Sequence, residues 1–309
     1  MKLTLAEALE KTGLSLRDVG DLVGLSKSAI SRIKNHSGYP NEANWERVII
    51  KKMVDQGILP EDVLEKEEKE SAELKVDPAA FIPTQNVIAV NSLANGLLDP
   101  ATTLNSSIGM VTGSAGYGKT TAIKHFVVEN PQAVYILFME GYSLTMLVRK
   151  IALELTGFSQ RTFDRNLAII KEATSIYRHL IIIDEADRIP LKILESLRNI
   201  NEYCGSPILL VGEKNLIAKM ESLPRLRSRV RKPEINFRPI NTVDVATYYQ
   251  IAVGLDISDS LEVCKTLLNW AAKDFRTLVN DAQHIVTTLN TTSVTELTKE
   301  VLNAYKPYR

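Results

Sequence analysis

A chain of 309 residues, 45% hydrophobic and 24% charged, has enough apolar material for one large core and a second small one. Lysines plus arginines and aspartates plus glutamates balance at 37 each, so no global field draws the chain to nucleic acid or an anionic membrane; such contacts must come from local patches. Cys204 and Cys264 match no metal or disulfide-framework spacing, no window approaches a membrane span, and the N-terminus lacks a signal-peptide core, which together predict buried thiols in a cytoplasmic protein.

Residues 1–60 predict a small all-helical domain. Ser15 can cap one helix, Gly24 supplies a turn and Ser26 caps the next helix, on which Ile30 and Ile33 share a face. With the small Gly20 at the helix contact and Leu16, Val19, Leu25 and Ile30 as apolar anchors, the spacing is that of a helix-turn-helix. Its second helix would present Lys27, Ser28, Ser31, Arg32 and Lys34, side chains suited to phosphates and base edges. A three-helix bundle with a solvated polar face is the competing reading. Pro60 closes this domain, and residues 61–78 form a charge-rich linker.

Val87, Val90, Leu93, Ala94 and Leu97 recur at helical spacing and predict a lead-in helix. From Ile108 onward short apolar runs alternate with helical segments, the pattern of a parallel sheet covered on both faces. Strands are predicted at 108–112, 133–138, 180–183, 208–212 and 234–237, and helices at 119–129, 143–157, 163–177, 190–203 and 214–221. Between the first strand and first helix lies Gly113-Ser114-Ala115-Gly116-Tyr117-Gly118-Lys119-Thr120, the phosphate-cradling G-x-x-x-x-G-K-T loop in its required context. Its glycines let backbone N–H groups form an anion nest, Lys119 would reach the β and γ phosphates, and the Thr120 hydroxyl would meet Mg2+; Thr121 completes the set. Leu180-Ile181-Ile182-Ile183 then delivers Asp184 and Glu185 to a strand's C-terminal end, where open α/β sheets bind ligands. Asp184 suits the Mg2+ shell and Glu185 the polarisation of an attacking water, so ATP and Mg2+ are the expected ligands. The basic residues Arg188, Lys192 and Arg198 follow, read as one side of an amphipathic helix that could face DNA, with a solvated face as the equal alternative. The four histidines, His36, His125, His179 and His284, form no ligand spacing and read as structural.

These two motifs, followed by Gly212-Glu213-Lys214-Asn215 and by Arg225-Leu226-Arg227-Ser228-Arg229-Val230, resemble an AAA+ ATPase of the initiator and helicase-loader type. The resemblance implies an AAA+ core over 79–238 and a helical lid over 239–309, whose helices run Val243–Val253, Asp259–Lys273, Phe275–Leu289 and Val294–Ala304 with Thr242 and Ser293 as caps. It also implies a polar sensor at the end of the fourth strand, where Glu213 and Asn215 are the alternatives and Asn215 is favoured. It gives Arg229, with Arg225 second, as an arginine finger for a neighbouring subunit, and Arg276 as a second sensor in the lid. The order of parts is similar to that of the target-DNA activator ATPases of the phage Mu B type. That resemblance implies an ATP-driven filament of this chain on double-stranded DNA with little sequence preference, which delivers target to a DDE-type transposase and gives target immunity. A replicative helicase loader and a helix-turn-helix regulator with an ATP-driven oligomerisation switch are the alternatives.

Overall fold

The computed structural model describes residues 3–37, 42–60, 74–102, 107–292 and 296–304, and most of the charge-rich linker lies outside them. Met1–Leu74 and Lys75–Arg309 are two compact units.

In the first unit, helices span Leu5–Thr12, Leu16–Val23, Lys27–Lys34 and Glu42–Asp55. Thr4 with Glu7 and Ser15 with Asp18 form reciprocal capping boxes, and Ser26 accepts from the Ala29 N–H. The Leu16–Val23 helix ends on Gly24 at φ 72°, the left-handed conformation that glycine adopts without a Cβ penalty. A Cβ on Gly20 would lie 2.5 Å from the Leu25 carbonyl oxygen, so only glycine permits the turn to fold back so closely. Leu5, Val19, Ile30, Ile33, Ile49 and Met53 are fully buried at its centre. On the Lys27–Lys34 helix, Lys27, Ser28 and Arg32 are exposed, whereas Ser31 and Lys34 are half-buried.

In the second unit, β1 (Ile108–Thr112), β2 (Ala133–Leu137), β3 (Leu180–Asp184), β4 (Ile208–Gly212) and β5 (Ile235–Asn236) form a parallel sheet in the order β2-β3-β4-β1-β5. Every residue of β1, β3 and β4 is buried, which explains their uninterrupted apolar sequences. Alternation sends Ile108, Met110, Ile181, Ile183 and Leu210 to one face, against helices Leu144–Thr156, Phe163–Ile176, Leu191–Cys204 and Asn215–Glu221. Val111, Leu180, Ile182, Leu209 and Val211 go to the other, against Gln85–Leu98 and Lys119–Glu129. The five predicted apolar positions of the lead-in helix are all buried there, and Thr84 caps it. Truncating Ile182, fully buried in a central strand, to alanine would cost about 2–5 kcal/mol.

The C-terminal helices belong to this same unit. Asn241, not Thr242, caps the helix Thr242–Tyr248: its carboxamide accepts from the N–H groups of Val243 and Asp244, and Asp244 returns a bond to the Asn241 N–H. The expected continuation to Val253 is a π-helical turn, Tyr249–Val253, stopped by Gly254. Helices Leu261–Trp270, Phe275–Thr292 and Lys299–Ala304 follow. The last is shorter than expected because the Thr298 hydroxyl accepts from the Val301 N–H and starts it there; Ser293 lies outside the described residues. Both cysteines are free and buried, and burial pushes the Cys204 thiol up to about 11 against the opposing pull of Lys171. Among the described residues, no helix is long and apolar enough to cross a membrane.

Candidate functional site

β1 ends at Thr112, and the chain turns through Gly113–Gly118 into the Lys119–Glu129 helix, with Gly116 at φ 78° and Gly118 at φ 89°. These left-handed residues turn successive N–H groups toward one point at a helix N-terminus, the geometry of an anion nest. Lys119 is nearly buried, and its ammonium donates to the carbonyls of Gly113 at 2.8 Å and Ser114 at 2.9 Å. Burial lowers its pKa, while the carboxylates of Glu213, Asp184, Glu185 and Asp187 act in the opposite direction.

Asp184 is 2% exposed, and three donors converge on it. The Thr120 hydroxyl donates to Oδ2 at 2.7 Å, the Tyr135 hydroxyl to the same oxygen at 3.0 Å, and the Glu185 N–H to Oδ1 at 2.9 Å. Such saturation is what a buried carboxylate requires. Burial first, then the Asp184 carboxylate, push the Tyr135 phenol far above its ordinary pKa, which keeps it a proton donor at physiological pH.

Glu185 has φ 59° and ψ 33°, a left-handed backbone that costs a non-glycine residue about 1–2 kcal/mol. Its carboxylate accepts from Arg188 Nε at 2.9 Å, and Arg188 Nη1 lies 4.0 Å from Glu140. The turn that follows is fixed from outside. Lys219 Nζ donates to the carbonyls of Asp187 and Ile189, and Asp187 Oδ1 accepts from the Glu213 N–H at 2.9 Å.

A cavity of about 310 Å³ opens over this array, the size of a small-molecule site. Ala115, Gly116, Gly118, Lys119, Thr120 and Thr121 form one wall, Asp184, Glu185, Asp187 and Glu213 another, and Arg276 and Asn280 of the Phe275–Thr292 helix the third. The helix reaches the loop directly: the Phe275 N–H donates to the Gly116 carbonyl at 3.1 Å, and the Asp274 carboxylate occupies the space where a Cβ on Gly116 would sit. Asp274 also caps the helix through the Thr277 N–H at 3.0 Å. Beside the cavity, sharing Gly118, Thr121 and Phe275 with it, is an apolar cleft lined by Ile82, Val87, Tyr117 and Phe237.

Lys119, Thr120, Asp184, Glu185 and Arg276 are thus brought together, with Gly113 and Ser114 supplying carbonyls to Lys119 and Tyr117 facing the apolar cleft. Asn215 is not. β4 ends at Gly212, so the residue that emerges on the cavity wall is Glu213, whereas Asn215 begins the next helix. Arg229 sits elsewhere: its carbonyl accepts from the N–H of Ile108, the first residue of β1, roughly 13 Å of strand from the loop that follows the last. Its guanidinium pairs with Glu202 at 2.7 Å.

The expected single basic face of Arg188, Lys192 and Arg198 is not formed. Arg188 lies in the 3-10 turn Ala186–Arg188, before Pro190 opens the Leu191–Cys204 helix. Lys192 is exposed, but Arg198 folds onto Asn199 at 2.8 Å and Glu202 at 3.5 Å. Glu213 was the less favoured of the two sensor alternatives, while Tyr135, Asn280 and the apolar cleft were not anticipated. They are assembled from strands and helices far apart in the chain, and no local spacing marks them.

A family model described as an AAA domain matches residues 103–220. The chain is 33% identical over 138 residues to the Mu-like prophage FluMu DNA transposition protein B of Haemophilus influenzae, covering 40% of this chain and 47% of that protein. It is 26% identical over 167 residues to the ATP-dependent target DNA activator B of Escherichia phage D108, covering 50% and 51%. Each match therefore spans about half the relative's length. Among solved structures, Cdc6p from Pyrobaculum aerophilum is similar with a TM-score of 0.55 at 15% identity, covering 74% of this chain and 67% of that one. The Aeropyrum pernix ORC2 protein, in its ADPNP-ADP complexes, is similar with a TM-score of 0.54 at 15% identity, covering 74% and 68%. The sheet and its flanking helices have the AAA+ fold.

Proposed function

We propose that this chain, an AAA+ fold similar to the transposition B proteins of Mu-like phages, is an ATPase that binds target DNA and presents it to a transposase. The observation that carries the nucleotide half of this reading is the convergence of Lys119, Thr120, Asp184, Glu185 and Arg276 on one cavity. The loop N–H groups and Lys119 bind the β and γ phosphates, Arg276 reaches them from the lid, and the base lies in the apolar cleft against Tyr117 and Phe275. A hydroxyl and a carboxylate 2.7 Å apart are hard oxygen donors that fit Mg2+, which takes one or two protein oxygens and completes its shell with phosphates and water. When bound there, Mg2+ neutralises charge on the transferring phosphoryl group. Glu185 accepts the proton of the attacking water once its carboxylate is released from Arg188.

Arg229, too far from the loop of its own chain, serves a neighbouring subunit, so hydrolysis depends on assembly. Assembly also supplies the DNA affinity. A chain with balanced charge binds a duplex weakly, and a filament multiplies local contacts from residues such as Lys27, Ser28, Arg32 and Lys192 by effective concentration. Hydrolysis loosens the interface and releases the duplex, which clears target near an existing transposase complex.

The test is a paired assay with random-sequence duplex and the cognate DDE-type transposase. ATP should cause coating of the duplex along its length and raise strand transfer into it. Protection of one operator sequence would instead support a regulator, and stimulation of helicase loading without strand transfer would support a loader.

A further inference from the structure

We propose that Tyr135 is a positioning residue for the metal-bearing carboxylate, holding Asp184 in the one orientation that leaves Thr120 free to coordinate Mg2+. This rests on the nucleotide reading above, and it concerns a residue outside both phosphate-binding motifs.

Tyr135 is the middle residue of β2 and pairs with Ile182 of β3. Ile182 and Asp184 share a face, so Asp184 is the diagonal neighbour of Tyr135, within reach of an aromatic side chain but not of a short one. The hydroxyl spans that diagonal and donates to Oδ2 at 3.0 Å. The ring is held from the covering helix by Lys124, whose ammonium lies 5.4 Å from its centroid, one helical turn beyond Thr120.

A hydroxyl has one proton and two acceptor lone pairs. Thr120 gives its proton to Asp184 Oδ2, which leaves its lone pairs for a cation, but only while that oxygen stays in place. The terminal torsion of an aspartate is broad and gives little orientation by itself. Two donors other than Thr120 fix it here: the Glu185 N–H on Oδ1 and the Tyr135 hydroxyl on Oδ2. Removing the phenolic hydroxyl leaves one fixed donor, and the carboxylate can turn away from Thr120.

The experiment is Tyr135→Phe in the full chain, read by titrating Mg2+ against a fluorescent ATP analogue. The Mg2+ concentration for half-maximal enhancement of nucleotide binding should rise about 3- to 10-fold, the effect of one lost hydrogen bond, with affinity in EDTA unchanged and the nucleotide-free unfolding midpoint lowered by no more than a few degrees. An Mg2+ midpoint equal to wild type overturns the assignment of Tyr135. So does a parallel loss of stability and of affinity with and without Mg2+, which would make the hydroxyl merely structural. Wild-type protein with no Mg2+ effect at all would remove the nucleotide reading itself, and this proposal with it.

Discussion

The two ends of the central sheet carry arginines in opposite surroundings. At the C-terminal end, Arg276 closes a cavity in which Lys119 meets the carboxylates of Asp184, Glu185, Asp187 and Glu213. At the N-terminal end, Arg229 is fastened through its carbonyl to the first residue of β1 and paired with Glu202, both side chains partly exposed. A surface ion pair of that kind contributes little to stability and separates readily. Position along the strand therefore separates a cationic residue that lines this chain's cavity from one that pairs outside it.

The largest break in that comparison is Lys119→Ala. Removing the one ammonium buried among the loop carbonyls should weaken nucleotide binding by about 100-fold or more, measured by equilibrium titration of a labelled nucleotide. Next come the two arginines side by side. Arg276→Ala should lower nucleotide affinity about 10-fold in the dilute monomer. Arg229→Ala should leave that affinity at the wild-type value yet reduce turnover by about 10³-fold at concentrations where wild type assembles. Equal effects on monomer affinity would erase the distinction between the two ends.

Arg188→Ala sharpens the cavity end alone. Its side chain holds Glu185 at 2.9 Å, and its removal should raise DNA-independent turnover about 2- to 10-fold with nucleotide affinity unchanged. A fall in turnover would mean that Arg188 assists the carboxylate rather than occupying it.

The smallest effect is a pH dependence at Glu234, just before β5. Burial alone would raise the pKa of Glu234, but hydrogen bonds from Arg227 and Lys232 outweigh it and hold the carboxyl below its ordinary value. A depressed carboxyl contributes stability that is fully present above the ordinary value of 4.5 and is lost as pH falls through the lower folded one. Thermal melts from pH 7 to 3 should show Glu234→Gln removing about 1 kcal/mol or less of the acid-side decline.

The sheet was legible because β1, β3 and β4 are buried on both faces, so each reads as an unbroken apolar run and the observed limits fall within one residue of those expected. β5 is only two residues long, hemmed between Pro233 and Pro239, which cannot donate to a ladder. The phosphate loop and the acidic strand end are local in sequence and were visible there. The rest is tertiary. Glu213 rather than Asn215 reaches the cavity because of where β4 stops, and Tyr135 meets Asp184 across a strand pairing that no spacing encodes. Pro190 sets Arg188 apart from its expected helix, and the side chain turns to Glu185 instead.

The bond from Phe275 to Gly116 joins residues far apart in sequence, and Asp274 rests against Gly116 where any other side chain would have to stand. The floor of the cradle is thereby also the bearing on which the C-terminal helices sit. A side chain at Gly116 would meet the Asp274 carboxylate at 1.7 Å, so Gly116→Ala would force the loop and the start of the Phe275–Thr292 helix apart.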